Sequence, residues 1–348
     1  MKKVFVGLSG GVDSSVAALL LKNDGYDVTG VFIKTWQPDY IECTWREDRL
    51  DAMRIAAQLG IAFETLDLET EYKTSVIDYM LSEYKNNRTP NPDIMCNRNI
   101  KFGAFYNYAM SKGANYIATG HYANVKNRQL YSATDNNKDQ SYFLSNIKKE
   151  VLEKILFPLA DLEKEKVRKI AQENNLCTQN KKDSQGICML GNISIKDFLK
   201  QELSVIGGDV VNKNREITGK HDGVILYTLG ERHGFEITKH DTTEKPYYIV
   251  EKDFEKNVLI VSHEYPHVNK TETQLENFNI LTSDITDFTD IKKDVYARAR
   301  YRADLAKVIY DIETNTVKTI SGDILYTPGQ SVVFYNIDGK VLGGGIVS

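Results

Sequence analysis

The chain has 348 residues, with 44 lysines and arginines against 48 aspartates and glutamates, a formal net charge of −4, and 41% hydrophobic residues. This balance excludes a uniformly basic polyanion binder but leaves room for a local basic face, and the length implies two or three domains of roughly 150 residues each. The four cysteines, at 43, 96, 177 and 188, include no CxxC pair. Their scatter argues against a zinc ribbon, an iron-sulfur site or a disulfide framework and for a reducing, cytoplasmic compartment. No stretch approaches the roughly 20 apolar residues of a membrane span, so neither membrane insertion nor a targeting segment is expected.

In chain order, Lys3 to Leu8 reads as a short buried strand, followed by a Ser/Gly turn and a helix over Ser14 to Lys22. Strands are predicted at Asp27 to Ile33, Ala62 to Asp67 and Tyr116 to Thr119, and helices at Arg49 to Leu59, Glu71 to Tyr84 and Phe102 to Met110. Strands alternating with helices of this length imply a parallel sheet covered on both faces, and such sheets gather ligands at the carboxyl ends of their strands. A hairpin is expected around Asn127, then an amphipathic helix over Glu163 to Glu173 that buries Val167, Ile170 and Ala171. After about Leu203, short apolar runs such as GVILYTL, NVLIVS, VYARARY and SVVFY alternate with turn residues. They predict small β-barrel-like modules. The expected organisation is a parallel-sheet α/β catalytic domain over 1–203, a central β domain over 204–280 and a C-terminal β-barrel over 281–348.

The most informative segment runs from Gly7 to Ser15, GLSGGVDSS, between the first strand and the first helix. Glycines let a backbone approach phosphate oxygens, and a helix N-terminus adds unpaired N–H groups and a positive dipole end. The loop lacks the lysine of GxxxxGK[ST]. A tight turn with a Ser or Asp cap would share this composition. Placed as it is after the first strand, however, SGGVDSS is similar to the PP-loop of the ATP pyrophosphatase superfamily, whose members cut ATP into AMP and pyrophosphate and activate a carbonyl oxygen with the AMP. The resemblance implies that Gly7, Leu8, Ser9, Gly10, Gly11, Val12, Asp13 and Ser14 hold the phosphates of ATP. It also implies that Asp13 helps position Mg2+, and that Ile33 and Gly120 lie beside the adenine.

Two cysteines stand in polar, loop-like surroundings. Cys96 follows two prolines in TPNPDIMCN, with a helix predicted to begin near Asn97, so the helix dipole would favour its thiolate. Asp93, three residues earlier, is a candidate proton acceptor. Cys188 ends KKDSQGIC, whereas Cys43 and Cys177 read as structural.

PNPDIMCN, KF at 101–102, TGHYA at 119–123, KDQSYFL at 138–144, KKDSQGIC at 181–188, GKHDGVILYTLGERHG at 219–234 and ARARYR at 297–302 occur in one order along the chain. In this the sequence resembles the bacterial and organellar tRNA-specific 2-thiouridylases of the MnmA type. Ile33 and Glu231 depart from that family's usual methionine and glutamine. The resemblance implies a tRNA-uridine 2-sulfurtransferase: ATP adenylates O2 of the wobble uridine at position 34, and persulfide sulfur replaces that oxygen to give 2-thiouridine, AMP and pyrophosphate. Cys188 would carry the persulfide, received from a sulfur-carrier protein or cysteine desulfurase, and Cys96 would be its partner thiol. The two must then come within disulfide range during turnover, with Cα atoms less than about 7 Å apart. Asn91, Pro92 and Asp93 would contact the target base, with Asp93 as general base. Lys138, Asp139, Gln140, Arg300 and Tyr301 would contact the tRNA, of lysine, glutamate or glutamine acceptor type.

The stretch from Lys292 to Lys307 concentrates positive charge. A strand over Val295 to Arg302 would align Arg298, Arg300 and Arg302 on one solvent face, where they could pair with phosphates, and turn Tyr301 away from it. A small-molecule ligase with the same nucleotide loop would have no use for two loop cysteines and a basic β module. A non-catalytic RNA binder would have no need of an intact nucleotide loop.

Overall fold

The structure is a computed structural model that describes residues 1–40, 45–182, 193–239, 245–266, 272–289 and 293–348. Strand β1 (Lys3–Gly7) leads through the Ser/Gly turn into α1 (Val12–Asn23), followed by β2 (Asp27–Lys34), α2 (Trp45–Leu59) and β3 (Ala62–Asp67). A helical run then passes through α3 (Glu69–Tyr72), a π-helical segment Lys73–Ile77 and α4 (Asp78–Lys85). A second run comprises α5 (Pro92–Met95), a π-helix over Cys96–Ala104 and α6 (Phe105–Ser111), and leads to β4 (Tyr116–Ala118). The hairpin β5 (Asn124–Lys126) and β6 (Gln129–Tyr131) turns at Asn127 and Arg128, whose φ values of 51° and 61° are those of a primed hairpin turn. Strand β7 (Ile155–Leu156), which the sequence pattern does not indicate, and α7 (Lys164–Glu173), which it does, follow.

The first sheet has the order β3-β2-β1-β4-β7, and every pairing is parallel. Its central strand is apolar on both faces, as a sheet covered on both sides requires. Val4 and Val6 pack with α1 and α2, while Phe5 packs with Phe102, Phe105 and Ile117 on the other face.

Helix α8 (Ile195–Glu202) is capped by Ser194, whose hydroxyl accepts from the Asp197 N–H at 3.1 Å. Its Phe198 and Leu199 join a core that takes Tyr72, Val76 and Met80 from the first domain and Val210, Leu226 and Leu259 from the next module. That module is a five-stranded sheet, β10-β9-β8-β12-β11, built from β8 (Gly208–Val211), β9 (Ile217–His221), β10 (Glu236–Ile237), β11 (Tyr248–Asp253) and β12 (Val258–Ser262). GVILYTL is not a strand there: Val224–Leu226 forms a 3-10 turn that buries Val224 and Leu226 against this core.

The last module is a closed barrel, β13-β16-β15-β14-β17-β18. It comprises β13 (Glu272–Ile280), β14 (Val295–Arg298), β15 (Ala306–Asp311), β16 (Thr316–Ser321), β17 (Ser331–Tyr335) and β18 (Val341–Val347). The boundary expected at 280 is corrected, because β13 pairs with β16 and β18 and so belongs to the barrel. The expected strand over Val295 to Arg302 is also corrected. It ends at Arg298, and Arg302 has φ +63°, so the three arginines do not share one strand face.

Two seams lock the barrel to the first domain. At one, the Thr89 N–H donates to the Pro328 carbonyl at 2.9 Å, and Gln330 Nε2 donates to the Thr89 carbonyl at 2.9 Å. At the other, Arg298 Nη2 meets Asp139 Oδ2 at 2.7 Å and donates to the Tyr335 hydroxyl at 3.0 Å. No helix among the described residues is long and apolar enough to cross a membrane.

Candidate active site

The PP-loop segment leaves β1 at Gly7 and enters α1 with Gly11 at the cap position. Ser14 Oγ accepts from the Ser9 N–H at 3.2 Å and donates to the Gly11 carbonyl at 3.1 Å, so the loop's own hydroxyl holds it curled. Gly10 has φ +75°, and a Cβ there would sit 2.4 Å from the Asp48 carbonyl oxygen, so only glycine fits. Gly120, in the turn after β4, lies so close to the loop that a Cβ would be 2.7 Å from the Ser14 nitrogen and 2.8 Å from the Asp13 carbonyl carbon. Gly120→Ala must therefore push the phosphate loop aside. Overpacking of this kind costs about 1–3 kcal/mol, so ATP affinity measured by calorimetry is expected to fall by roughly 5- to 150-fold.

The segment carrying Asp93 and Cys96 is organised differently from its expected form. The helix begins at Pro92, with Asn91 as its cap: Asn91 Oδ1 accepts from the Ile94 N–H at 3.3 Å, and proline occupies the first turn. Cys96 is thus the fifth residue of a helical run, at the junction where α-helix becomes π-helix, and not at an N-terminus. The dipole end favours a charge at Asp93 instead. The π-helix matters because its turn is wider: residues five apart share a face, which places Lys101 one turn beyond Cys96.

A cavity of about 390 Å³ connects the two segments. Of the residues singled out from sequence, Gly7, Leu8, Ser9, Asp13, Ser14, Ile33, Asp93, Cys96, Gly120 and Gln140 line it. Cys96 is only 5% exposed. Gly10 and Gly11 shape the loop, Val12 is buried in the core beneath it, and Asn91 and buried Pro92 start the helix. Cys188 lies outside the described residues, as does Cys43. Lys181, at the start of the Cys188 motif, is anchored on α2 by Asp48 at 2.7 Å and Asp51 at 2.8 Å, and Asp48 also lines the cavity.

The expected RNA contacts divide. Asp139 is 4% exposed and its carboxylate is taken up by Arg298, the Ser141 hydroxyl and two backbone N–H groups, so it organises the seam from within. Lys138 and Gln140 flank it, half-buried. Arg298, mostly covered, is taken up as Asp139's partner, Lys293 pairs with Asp284 and Asp287, and Lys307 pairs with Asp294. The basic stretch is thereby largely neutralised internally. Arg300 reaches the Leu229 carbonyl, and Tyr301 packs on Phe143 of the cavity wall with ring centroids 4.5 Å apart.

Five functional candidates had no assigned role in the sequence reading. Lys164 of α7 holds Asp13 at 2.7 and 2.8 Å, and the Tyr122 hydroxyl donates to the same carboxylate at 2.9 Å. Lys101 and His121 also line the cavity. Asn97, lining it too, is 2% exposed, and its Oδ1 has no hydrogen-bond partner among the described residues. Only their neighbourhood in quoted motifs hinted at them; the π-helical turn and the 151-residue separation of Lys164 from Asp13 carry no local signal.

Two titratable groups that line the cavity are perturbed. Burial pushes the Asp93 carboxyl above its ordinary range, opposed by the Lys101 charge. Burial, with Lys101 beside it, holds the His121 imidazole well below its usual value.

Three family models match in succession: a tRNA methyl transferase HUP domain over residues 2–192, a tRNA methyl transferase PRC-barrel domain over 196–263, and an aminomethyltransferase beta-barrel domain over 270–347. Among curated proteins, the tRNA-specific 2-thiouridylase MnmA of Streptococcus agalactiae is 44% identical over 356 residues, spanning 99% of this chain and 95% of its own. MnmA of Listeria monocytogenes is 44% identical over 359 residues, covering 99% of this chain and 94% of its own. MnmA 1 of Geobacillus kaustophilus is 44% identical over 357 residues, with 99% and 95% covered. With this identity sustained through all three modules, the chain belongs to the tRNA-specific 2-thiouridylase (MnmA) family.

Proposed function

We propose that this chain is a tRNA-uridine 2-sulfurtransferase that uses ATP to adenylate O2 of the wobble uridine and replaces that oxygen with persulfide sulfur. The observation that carries the reading is the single cavity in which the PP-loop, Asp93 and Cys96 meet. A nucleotide on the loop would present its α-phosphoryl group toward a base held at the start of α5. Asp93, with its raised pKa, suits a general base: its carboxylate would take the N3 proton as O2 is adenylated. An unpaired, flipped uridine exposes the edge this chemistry needs.

Cys188 would bring the persulfide, charged by a sulfur-carrier protein or cysteine desulfurase, and Cys96 would close a disulfide on it as sulfur leaves for C2. The anchored Lys181 supports this, since seven residues of chain reach at most about 25 Å from the cavity rim. The tRNA, of lysine, glutamate or glutamine acceptor type, would rest on Lys138, Gln140, Arg300 and Tyr301, with Asp139 acting indirectly through the seam. Asp13 does not fit as a direct Mg2+ ligand while Lys164 neutralises it.

The test is incubation with ATP, a persulfide donor and tRNA, followed by nucleoside mass spectrometry. 2-Thiouridine with stoichiometric AMP is expected, and its absence would refute the assignment. Asp93→Asn should slow thiolation by about 10²–10⁴-fold. Because burial raises the Asp93 pKa, ionising it opposes folding: the stability it contributes is complete below its unfolded pKa and declines as pH rises through the folded value. Asp93→Asn should therefore raise the melting temperature at pH 7 relative to the parent, and the gain should vanish at pH 3.

A further inference from the structure

Adenylation concentrates negative charge on the α-phosphoryl group, yet the PP-loop has no lysine and Lys164 is held on Asp13. We propose that Lys101 is the catalytic cation that carries this charge, and that His121 positions it; this rests on the sulfurtransferase reading above. Lys101 lines the same cavity as Ser9, Asp93 and Cys96, on the helical run that bears the latter two. Its Nζ lies 3.4 Å from His121 Nε2, and His121 Nδ1 lies 2.8 Å from Thr119 Oγ1. An ammonium can only donate, so the imidazole accepts at Nε2 and carries its proton on Nδ1, which donates to the Thr119 hydroxyl.

The ring is buried and set against Phe102 and Phe157, at centroid distances of 5.8 and 6.2 Å, so it cannot swing away. A fixed neutral acceptor orients a lysine without neutralising it. Among the described residues no ion pair takes up the Lys101 charge, and two of its N–H groups stay available to a ligand. A lysine serving structure alone would be expected to meet a carboxylate, as Lys164 and Lys181 do.

In the first step the bond from uridine O2 to Pα forms while the bond from Pα to the bridging oxygen breaks. That electron pair leaves on pyrophosphate, and the N3 proton passes to Asp93. In the second, the outer persulfide sulfur bonds to C2 and its bond to Cys188 Sγ breaks as the Cys96 thiolate forms a disulfide with Cys188, the C2–O2 electron pair leaves with AMP, and Asp93 returns its proton to N3. Lys101 keeps its proton throughout, donating to the non-bridging oxygens as charge builds on them in both steps.

The experiment is single-turnover AMP release and 2-thiouridine formation at saturating ATP and tRNA, with affinities for a non-hydrolysable ATP analogue and for tRNA measured in parallel. Lys101→Met is expected to slow AMP release by about 100-fold or more, the effect of removing one preorganised donor, while both affinities stay within about threefold. Lys101→Arg should recover at least about tenfold of that loss by restoring the donor. His121→Gln, which keeps an acceptor near Nε2, should retain more activity than His121→Ala. AMP release by Lys101→Met within about threefold of the parent, or a parallel collapse of both affinities, overturns the role of Lys101. A parent protein that forms no 2-thiouridine overturns the sulfurtransferase reading itself, and this inference with it.

Discussion

Cys96→Ser should form no detectable 2-thiouridine, a loss of at least about 10³-fold in line with removing a thiol nucleophile, while tRNA- and ATP-dependent pyrophosphate release in a single turnover continues within about tenfold of the parent. The substitution is nearly isosteric and Cys96 lies inside a continuous helical run, so the cavity should keep its shape. The product that accumulates will decide the order of events. If the terminal persulfide sulfur attacks C2 first, the variant stalls as an adduct in which Cys188 is joined through two sulfurs to the tRNA. If Cys96 must first displace sulfide, Cys188 persists as a persulfide and no adduct forms. Intact-mass measurement separates the two. Thiolation at the parent rate would remove Cys96 from the mechanism altogether.

The second large effect is expected far from the chemistry. Arg298→Ala removes the cation that faces Asp139 in a seam where Asp139 is 4% exposed, with the Ser141 hydroxyl and backbone N–H groups as its remaining described partners. Removing one partner of a buried pair costs about 3–5 kcal/mol, whereas replacing both by neutral groups costs much less. The urea midpoint should therefore fall sharply for Arg298→Ala, and the Asp139→Asn, Arg298→Met double variant should recover most of the loss. The seam continues to the nucleotide loop. Gln140 and Tyr122 exchange hydrogen bonds, Gln140 N–H to the Tyr122 carbonyl at 2.7 Å and Tyr122 N–H to Gln140 Oε1 at 3.0 Å, and the Tyr122 hydroxyl donates to Asp13. ATP affinity should accordingly weaken in Arg298→Ala even below its unfolding midpoint.

The parallel sheet was legible because β1 is an apolar run closed by a glycine-rich turn, because β2 and β3 follow it in alternation with helical patterns, and because α7 repeats its apolar residues at helical spacing. The PP-loop was legible because its glycines and serines are consecutive. Cys96 and Asp93 were legible as residues but not in their placement: Asn91 and Pro92 supply cap and first turn for a helix that begins earlier than Asn97, and the π-helical turn aligns Lys101 with Cys96 where a regular period does not. Arg298 misled because an alternating basic strand reads as a solvent face. Its partner Asp139 lies 159 residues away, and nothing local distinguishes a buried arginine from an exposed one. Lys164 was hidden for the same reason.

The clasp between Thr89 and Gln330 joins residues 241 apart. Thr89 lies just before the segment that bears Asn91, Asp93 and Cys96, so that segment is clasped by residues made long after it. A ribosome adding about 5–20 residues per second needs roughly 10 to 50 seconds to supply them. During that interval the nucleotide loop can already fold while the segment bearing Cys96 still lacks its clasp. On the proposed function, synthesis order thus delays thiolation until Gln330 has been added, and a chain stopped short of the barrel would bind ATP without thiolating tRNA.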